Sequence, residues 1–215
     1  MKYFGSGMGA PSEDPLSLFG RILTKSKTMW MRWTYPFAGF GQGNSIHYSC
    51  DLKRSISERV KIGNNVYIAE GTWLNIPEYL AGAPAALVIG NECRIGRRCM
   101  FSAKNLVTLE DNVLFGPSVL VTDHSHEFSD VNMPIHAQGL TAGGTVRIEQ
   151  NCWLGHGAAI VGGSGELVVG RNSVVGANAV ITKSVPPYSV VVGSPARILK
   201  RYDPEARKWV KQSGV

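Results

Sequence analysis

Leu109-Glu110-Asp111-Asn112-Val113-Leu114-Phe115-Gly116-Pro117-Ser118-Val119-Leu120-Val121 decides the fold, because a large apolar residue returns at every sixth position, at 109, 115 and 121. Working outward, the same spacing holds at Ile62, Ile68 and Leu74, at Ile89, Ile95 and Phe101, at Ile148, Leu154 and Ile160, and at Val169, Val175 and Ile181. Four residues after each anchor stands a small or β-branched residue or a cysteine, Glu78 and Asn105 excepted, as at Val66, Cys93, Cys99, Ser125, Cys152 and Ser164. That position is expected to point inward. Gly is frequent directly after the anchor (Gly63, Gly96, Gly155) and Asn three after it (Asn65, Asn112, Asn151, Asn172, Asn178), both residues that tolerate sharp or left-handed backbone. Short strands on flat faces with a corner every six residues build a triangular coil, whose stacked turns share one core. An ordinary sandwich of alternating strands repeats every second residue and does not hold period six over fifteen anchors.

The triplets start at 62, 89, 109, 148 and 169 and so advance by 27, 20, 39 and 21 residues, where an uninterrupted coil would advance by 18. The excess falls at or after the third hexad, so the excursions leave near one corner. The longest covers about residues 126–147, and long loops of this kind usually carry function. Phe40 to Leu52, with Ile46 and Cys50 in phase, reads as a degraded first turn. Upstream, Asp14-Pro15 opens a helix to about Arg32, whose Phe19, Ile22, Leu23, Met29 and Trp30 are expected to cap the coil. Downstream, Asp203-Pro204 is expected to open a short helix through Lys211. The expected organisation is therefore a helical extension over 1–39, a coil over 40–201 with a loop at about 122–147, and a C-terminal tail over 202–215.

With 215 residues, 44% hydrophobic and 18% charged, the chain suits one domain with a sizeable core. Four cysteines without a Cys-x-x-Cys pair, and no secretion signal at the N-terminus, imply a reduced, cytoplasmic protein. No run reaches the roughly 18 apolar residues of a membrane-spanning helix. The net charge of +6 favours an anionic partner: nucleic acid, a membrane surface or a phosphate-rich cofactor.

The densest titratable cluster is Val121-Thr122-Asp123-His124-Ser125-His126-Glu127-Phe128, where the chain leaves the rigid coil. A histidine with an ordinary pKa of about 6.5 accepts a proton at neutral pH, and a neighbouring carboxylate fixes its tautomer. His124 is the candidate base, with Asp123 or Glu127 as its orienter.

These features together resemble the hexapeptide-repeat acetyltransferases, particularly those acetylating surface polysaccharides, galactosides or maltose. The resemblance covers about residues 40–201. It rests on the hexads, the Asp-His-x-His loop, Asn151-Cys152-Trp153-Leu154-Gly155, and the run from Thr182-Lys183-Ser184-Val185-Pro186-Pro187 to Ser194-Pro195-Ala196-Arg197. It implies an all-β, left-handed parallel β-helix, a handedness that periodicity alone does not show. It also implies a homotrimer with active sites at subunit interfaces, and direct acetyl transfer from acetyl-coenzyme A to a sugar hydroxyl, without an acyl-enzyme. His124 matches the family's base. Gly116, Trp153, His156, Ala177, Thr182, Lys183, Arg197 and Lys200 match positions beside its coenzyme A groove, although His156 departs from the small residue usual there. The small residues would let a narrow tether approach the backbone, and Lys183, Arg197 and Lys200 would meet phosphates. No metal and no nucleic acid are implied. The family's galactoside-positioning residues are not recognisable in the first hundred positions. Outward Arg94, Arg97 and Arg98 suit an anionic glycan or plain solvation.

Other readings remain open at this point. An amino-sugar nitrogen could replace the hydroxyl. A zinc hydratase of the γ-carbonic anhydrase type shares the coil and the tail, but needs three imidazoles, and histidines 47, 124, 126, 136 and 156 contain no His-x4-His pair. A non-catalytic trimeric scaffold would need only the repeats. Finally, Arg21, Lys25, Lys27 and Arg32 interleave with Phe19, Ile22, Leu23, Trp30 and Trp33, so the helix could instead lie on an anionic membrane as a peripheral contact.

Overall fold

The computed structural model describes residues 15–77 and 82–212. Asp14 and Glu78 lie outside the described residues. A helix, Pro15–Thr34, precedes a succession of short strands that visit three sheets in turn. Apart from a C-terminal hairpin on the second sheet, each sheet is a parallel stack, so one circuit of the chain contributes one strand to each face of a prism.

The anchors form vertical columns inside that prism. Ile62, Ile89, Leu109, Ile148 and Val169 pair in register along the first sheet. Leu74, Phe101, Val121, Ile160 and Ile181 do so along the third. On the second, Ile68 meets Ile95, and Phe115, Leu154 and Val175 continue the column. No anchor is more than 3% exposed, and Phe101 stacks on Phe115 with ring centroids 5.4 Å apart. Phe40 and Ile46 pair with Ile62 and Ile68, which makes the degraded segment a true first turn. The equal alignment of triplets separated by 20 and by 39 residues shows that the extra residues leave the coil without disturbing its register.

Of the positions expected to point inward four residues after an anchor, Ser125 and Ser164 are instead exposed. Both follow a third-hexad anchor, where the chain departs from the prism, as does exposed Asn105. The five asparagines at the corners do adopt left-handed backbone, with φ between 54° and 61°. The glycines after the anchors do not. Their role is steric: a Cβ on Gly96 would stand 2.4 Å from the carbonyl oxygen of Gly116 in the next turn, so stacking rather than backbone freedom demands glycine there.

Two expectations about the ends are corrected. The helix meets the coil through Thr24, Thr28 and Met31, all buried; of the residues expected to cap it, Leu23 is half-buried and Phe19, Ile22, Met29 and Trp30 are exposed. Thr28 Oγ1 accepts from Ile46 N at 2.9 Å, and Lys27 Nζ donates to the carbonyls of Tyr48 and Cys50 at 2.8 and 2.7 Å. These polar contacts let small side chains set the docking face and turn the large apolar ones away. At the other end, Asp203 captures the amides of Glu205 and Ala206, but only a turn results. Arg197–Asp203 and Lys208–Lys211 then form an antiparallel hairpin on the second sheet. Trp209 and Val210 are β-formers, and Trp209 packs on Tyr202 at 5.6 Å. The outermost strand carries a lysine at each end, a charge that discourages edge pairing.

Candidate active site

Strand Leu120–Thr122 is the middle strand of the third sheet, and the two residues after it lead into the long excursion. Asp123 is fully buried there. Its Oδ1 accepts from Lys104 N at 2.9 Å, and its Oδ2 accepts from Asn105 N and Leu106 N, each at 2.8 Å. The neighbouring excursion at 104–106 thus supplies a nest of amides that holds the carboxylate. His124 Nδ1 lies 2.8 Å from the same Oδ1. With Asp123 accepting, the proton sits on Nδ1, and Nε2 keeps the free lone pair a base needs. The His124 side chain is 7% exposed. The backbone around it is pinned as well: Thr122 Oγ1 donates to His124 O at 3.0 Å, and Gly144 N to Asp123 O at 2.8 Å.

Of the two carboxylates expected as orienter, Asp123 touches the ring and Glu127 does not. Glu127 Oε1 accepts from the amides of Phe128 and Ser129 at 2.9 and 3.0 Å. The Phe128 amide foremost, then Ser129, holds that carboxyl below its ordinary range. Glu127 therefore shapes the loop, whose stem closes through the His126–Leu140 bridge and Thr141 N donating to Ser125 O.

His124 opens on a cleft of about 380 Å³ along the outer surface of the third sheet. Trp73, Asn75, Met100, Ser102, Leu120 and Thr122 line it, and Asn75 Nδ2 donates to Ser102 Oγ at 3.3 Å. None of these six was singled out from sequence. The signal was there nonetheless: each directly flanks an anchor, Leu74, Phe101 or Val121, and so must project outward in one ladder beside the histidine.

The residues matched to a cofactor groove fall in three places. Thr182, Lys183 and Arg197 line one cavity of about 190 Å³ at the far end of the third sheet. Gly116, His156 and Ala177 lie along the corner between the second and third sheets: Gly116 packs against the His156 backbone, and Asn178 N, next to Ala177, donates to His156 O. A Cβ on Gly116 would meet His156 N at 2.8 Å, so coil stacking already accounts for that glycine without any tether. Trp153 stands half-exposed on the second sheet between Leu114 and Val174, and Lys200 lies on the hairpin beside Val190.

The four cysteines are free and buried. Burial pushes each thiol up to about 11, which leaves almost no thiolate at neutral pH. Among the described residues, no three His, Cys, Asp or Glu side chains stand close enough to hold a metal ion.

Residues 145–183 match the family model described as the hexapeptide repeat of succinyl-transferase. The match covers these repeats alone, and beyond them the chain is similar to proteins named as O-acetyltransferases. One relative, the putative lipopolysaccharide biosynthesis O-acetyl transferase WbbJ of Escherichia coli, is 34% identical over 112 residues, 49% of this chain and 55% of the relative. A probable acetyltransferase of Mycobacterium tuberculosis is 28% identical over 160 residues, 74% of this chain and 48% of the relative. The chain thus spans about half the length of these curated relatives. Among solved structures, AntD, an N-acyltransferase from Bacillus cereus in complex with dTDP and 3-hydroxybutyryl-CoA, superposes with a TM-score of 0.66 at 18% identity, covering 84% of this chain and 90% of that one. At that identity the likeness is one of fold.

Proposed function

We propose that this protein is an acetyl-coenzyme A-dependent O-acetyltransferase acting on a sugar or a surface-polysaccharide precursor. The observation that carries the proposal is the Asp123–His124 pair, seated where the third sheet opens into an outward cleft. His124 Nε2 removes the proton of an acceptor hydroxyl held in that cleft. The oxygen attacks the thioester carbonyl, the C–S bond breaks, and the coenzyme A sulfur leaves with the proton that His124 collected. One direct transfer is enough, since the buried, protonated cysteines offer no acyl carrier. The names of WbbJ and the M. tuberculosis relative support an acetyl group as cargo, and WbbJ supports a glycan acceptor. An amino-sugar nitrogen is the second acceptor, by analogy with the N-acyltransferase AntD.

The proposal includes a left-handed coil and a homotrimer. In a trimer, half-exposed Trp153 and Leu114 would face a neighbouring subunit. Lys183, Arg197 and Lys200 would then bind the phosphates of coenzyme A. The layout that goes with this reading is a transferase body over 40–201, an extension over 1–39 and a tail over 202–215. Four free thiols suit a cytoplasmic location.

Thiol release from acetyl-coenzyme A, measured against a panel of sugars, amino sugars and nucleotide sugars, tests the activity. Release that no acceptor accelerates would refute it. Lys183→Ala and Arg197→Ala are each expected to raise the coenzyme A Michaelis constant roughly tenfold while leaving turnover near normal, the size of a lost charge-assisted contact. A defect confined to turnover would remove both residues from phosphate binding.

A further inference from the structure

The N-terminal helix presents two faces of opposite character. Gly20, Thr24, Thr28 and Met31 lie on the side docked to the coil. At about 100° per residue, Leu18, Ile22, Met29 and Trp33 gather on the opposite side, and Phe19 and Trp30 widen the stripe. All six are exposed, Trp33 by 78%. Contiguous apolar exposure of this kind marks a contact surface.

Charge identifies what covers it. The helix contains no acidic residue, and Lys25 and Arg32 flank the apolar stripe on one edge. Those two cations also line a cleft of about 560 Å³ together with Met29, Trp33 and Phe40, so positive charge and apolar surface meet in one groove between helix and first turn. A second copy of this helix would bring no carboxylate to Lys25 or Arg32, only like charge. An anionic lipid surface offers phosphates to the cations and hydrocarbon to the tryptophans at the same depth. No described helix is long and apolar enough to cross a bilayer, which leaves contact in the plane of the surface.

We propose that the Pro15–Thr34 helix docks this protein on an anionic phospholipid bilayer, with its apolar stripe at the headgroup boundary and Lys25 and Arg32 on the phosphates. The inference is independent of the acetyl-transfer reading. The test uses the full chain and vesicles of phosphatidylcholine, with and without phosphatidylglycerol. The protein is expected to sediment with the anionic vesicles only, and less so as salt rises. Ile22→Ser with Trp33→Ser should weaken that partition roughly tenfold or more. Lys25→Gln and Arg32→Gln should weaken it about fivefold each. All four side chains are exposed, so circular dichroism and mass by light scattering should match the parent protein. Failure to sediment, equal binding to neutral vesicles, or variants that bind like the parent would each overturn the proposal. A fall in mass for the Ile22→Ser/Trp33→Ser variant with vesicle binding unchanged would assign the face to a second copy and overturn it equally.

Discussion

Replacing His124 with alanine is expected to lower turnover by roughly 10²- to 10⁴-fold, the usual contribution of a positioned general base, while coenzyme A binding and molecular mass stay as in the parent protein. The ring holds no structural element together. Its one side-chain hydrogen bond goes to Asp123 Oδ1, whose three backbone amides remain after the substitution. The loss should therefore appear in turnover rather than in folding. Steady-state kinetics of thiol release, beside isothermal titration with coenzyme A, separate the two. His136→Ala serves as the internal comparison: it lies further along the same excursion, exposed and outside the lining of the cleft beside His124, and should retain most activity. Near-normal turnover in His124→Ala, or an equal loss in His136→Ala, would refute His124 as the base.

The sequence made the coil legible because a repeat is read against itself. Ile62 and Val169 are 107 positions apart in the chain, yet each announces its column by the spacing to its own neighbours, and the register confirms the alignment. The corner asparagines were equally readable, since left-handed backbone selects that side chain locally. What escaped depended on partners that no local pattern names. Gly63, Gly96 and Gly155 read as corner residues chosen for backbone freedom but answer to a backbone one turn away. Phe19, Ile22 and Met29 looked like a cap because apolar residues usually face a core, yet Thr28 and Lys27 make the docking hydrogen bonds, to Ile46, Tyr48 and Cys50. The Asp203-Pro204 start promised a helix, and strand pairing on the second sheet overrode it. In the site, His124 was readable from its loop. The choice between Asp123 and Glu127 was not, because it turns on amides contributed by residues 104–106 from another circuit of the coil. The cleft lining was encoded in the register but needed the third sheet as a whole to become visible.

Asp123→Asn should be the more damaging substitution to the site as a whole, although it removes no atom from the side chain's outline. Every contact of this buried carboxylate is with a donor: Lys104 N and His124 Nδ1 at one oxygen, Asn105 N and Leu106 N at the other. An amide has one acceptor and one donor end, so either orientation sets an NH₂ against existing N–H groups. If the NH₂ faces the backbone amides of 105 and 106, the nest loses two charge-assisted bonds. If it faces His124, the imidazole must present Nδ1 as an acceptor, and the proton moves to Nε2, the nitrogen the base needs free. The second orientation is expected to cost turnover roughly 10²- to 10⁴-fold through the wrong tautomer. The first is expected to cost stability, about 1.5–3 kcal/mol for hydrogen bonds to a charged group, because residues 104–106 are anchored to this carboxylate. Denaturant unfolding and thiol-release kinetics on the same preparation read both quantities. Loss of stability and loss of turnover together would place Asp123 as the group that both fixes the excursion and sets the tautomer of His124. Parent-like turnover would show that the contact at Nδ1 does not govern the base, and would leave Asp123 a purely structural clamp.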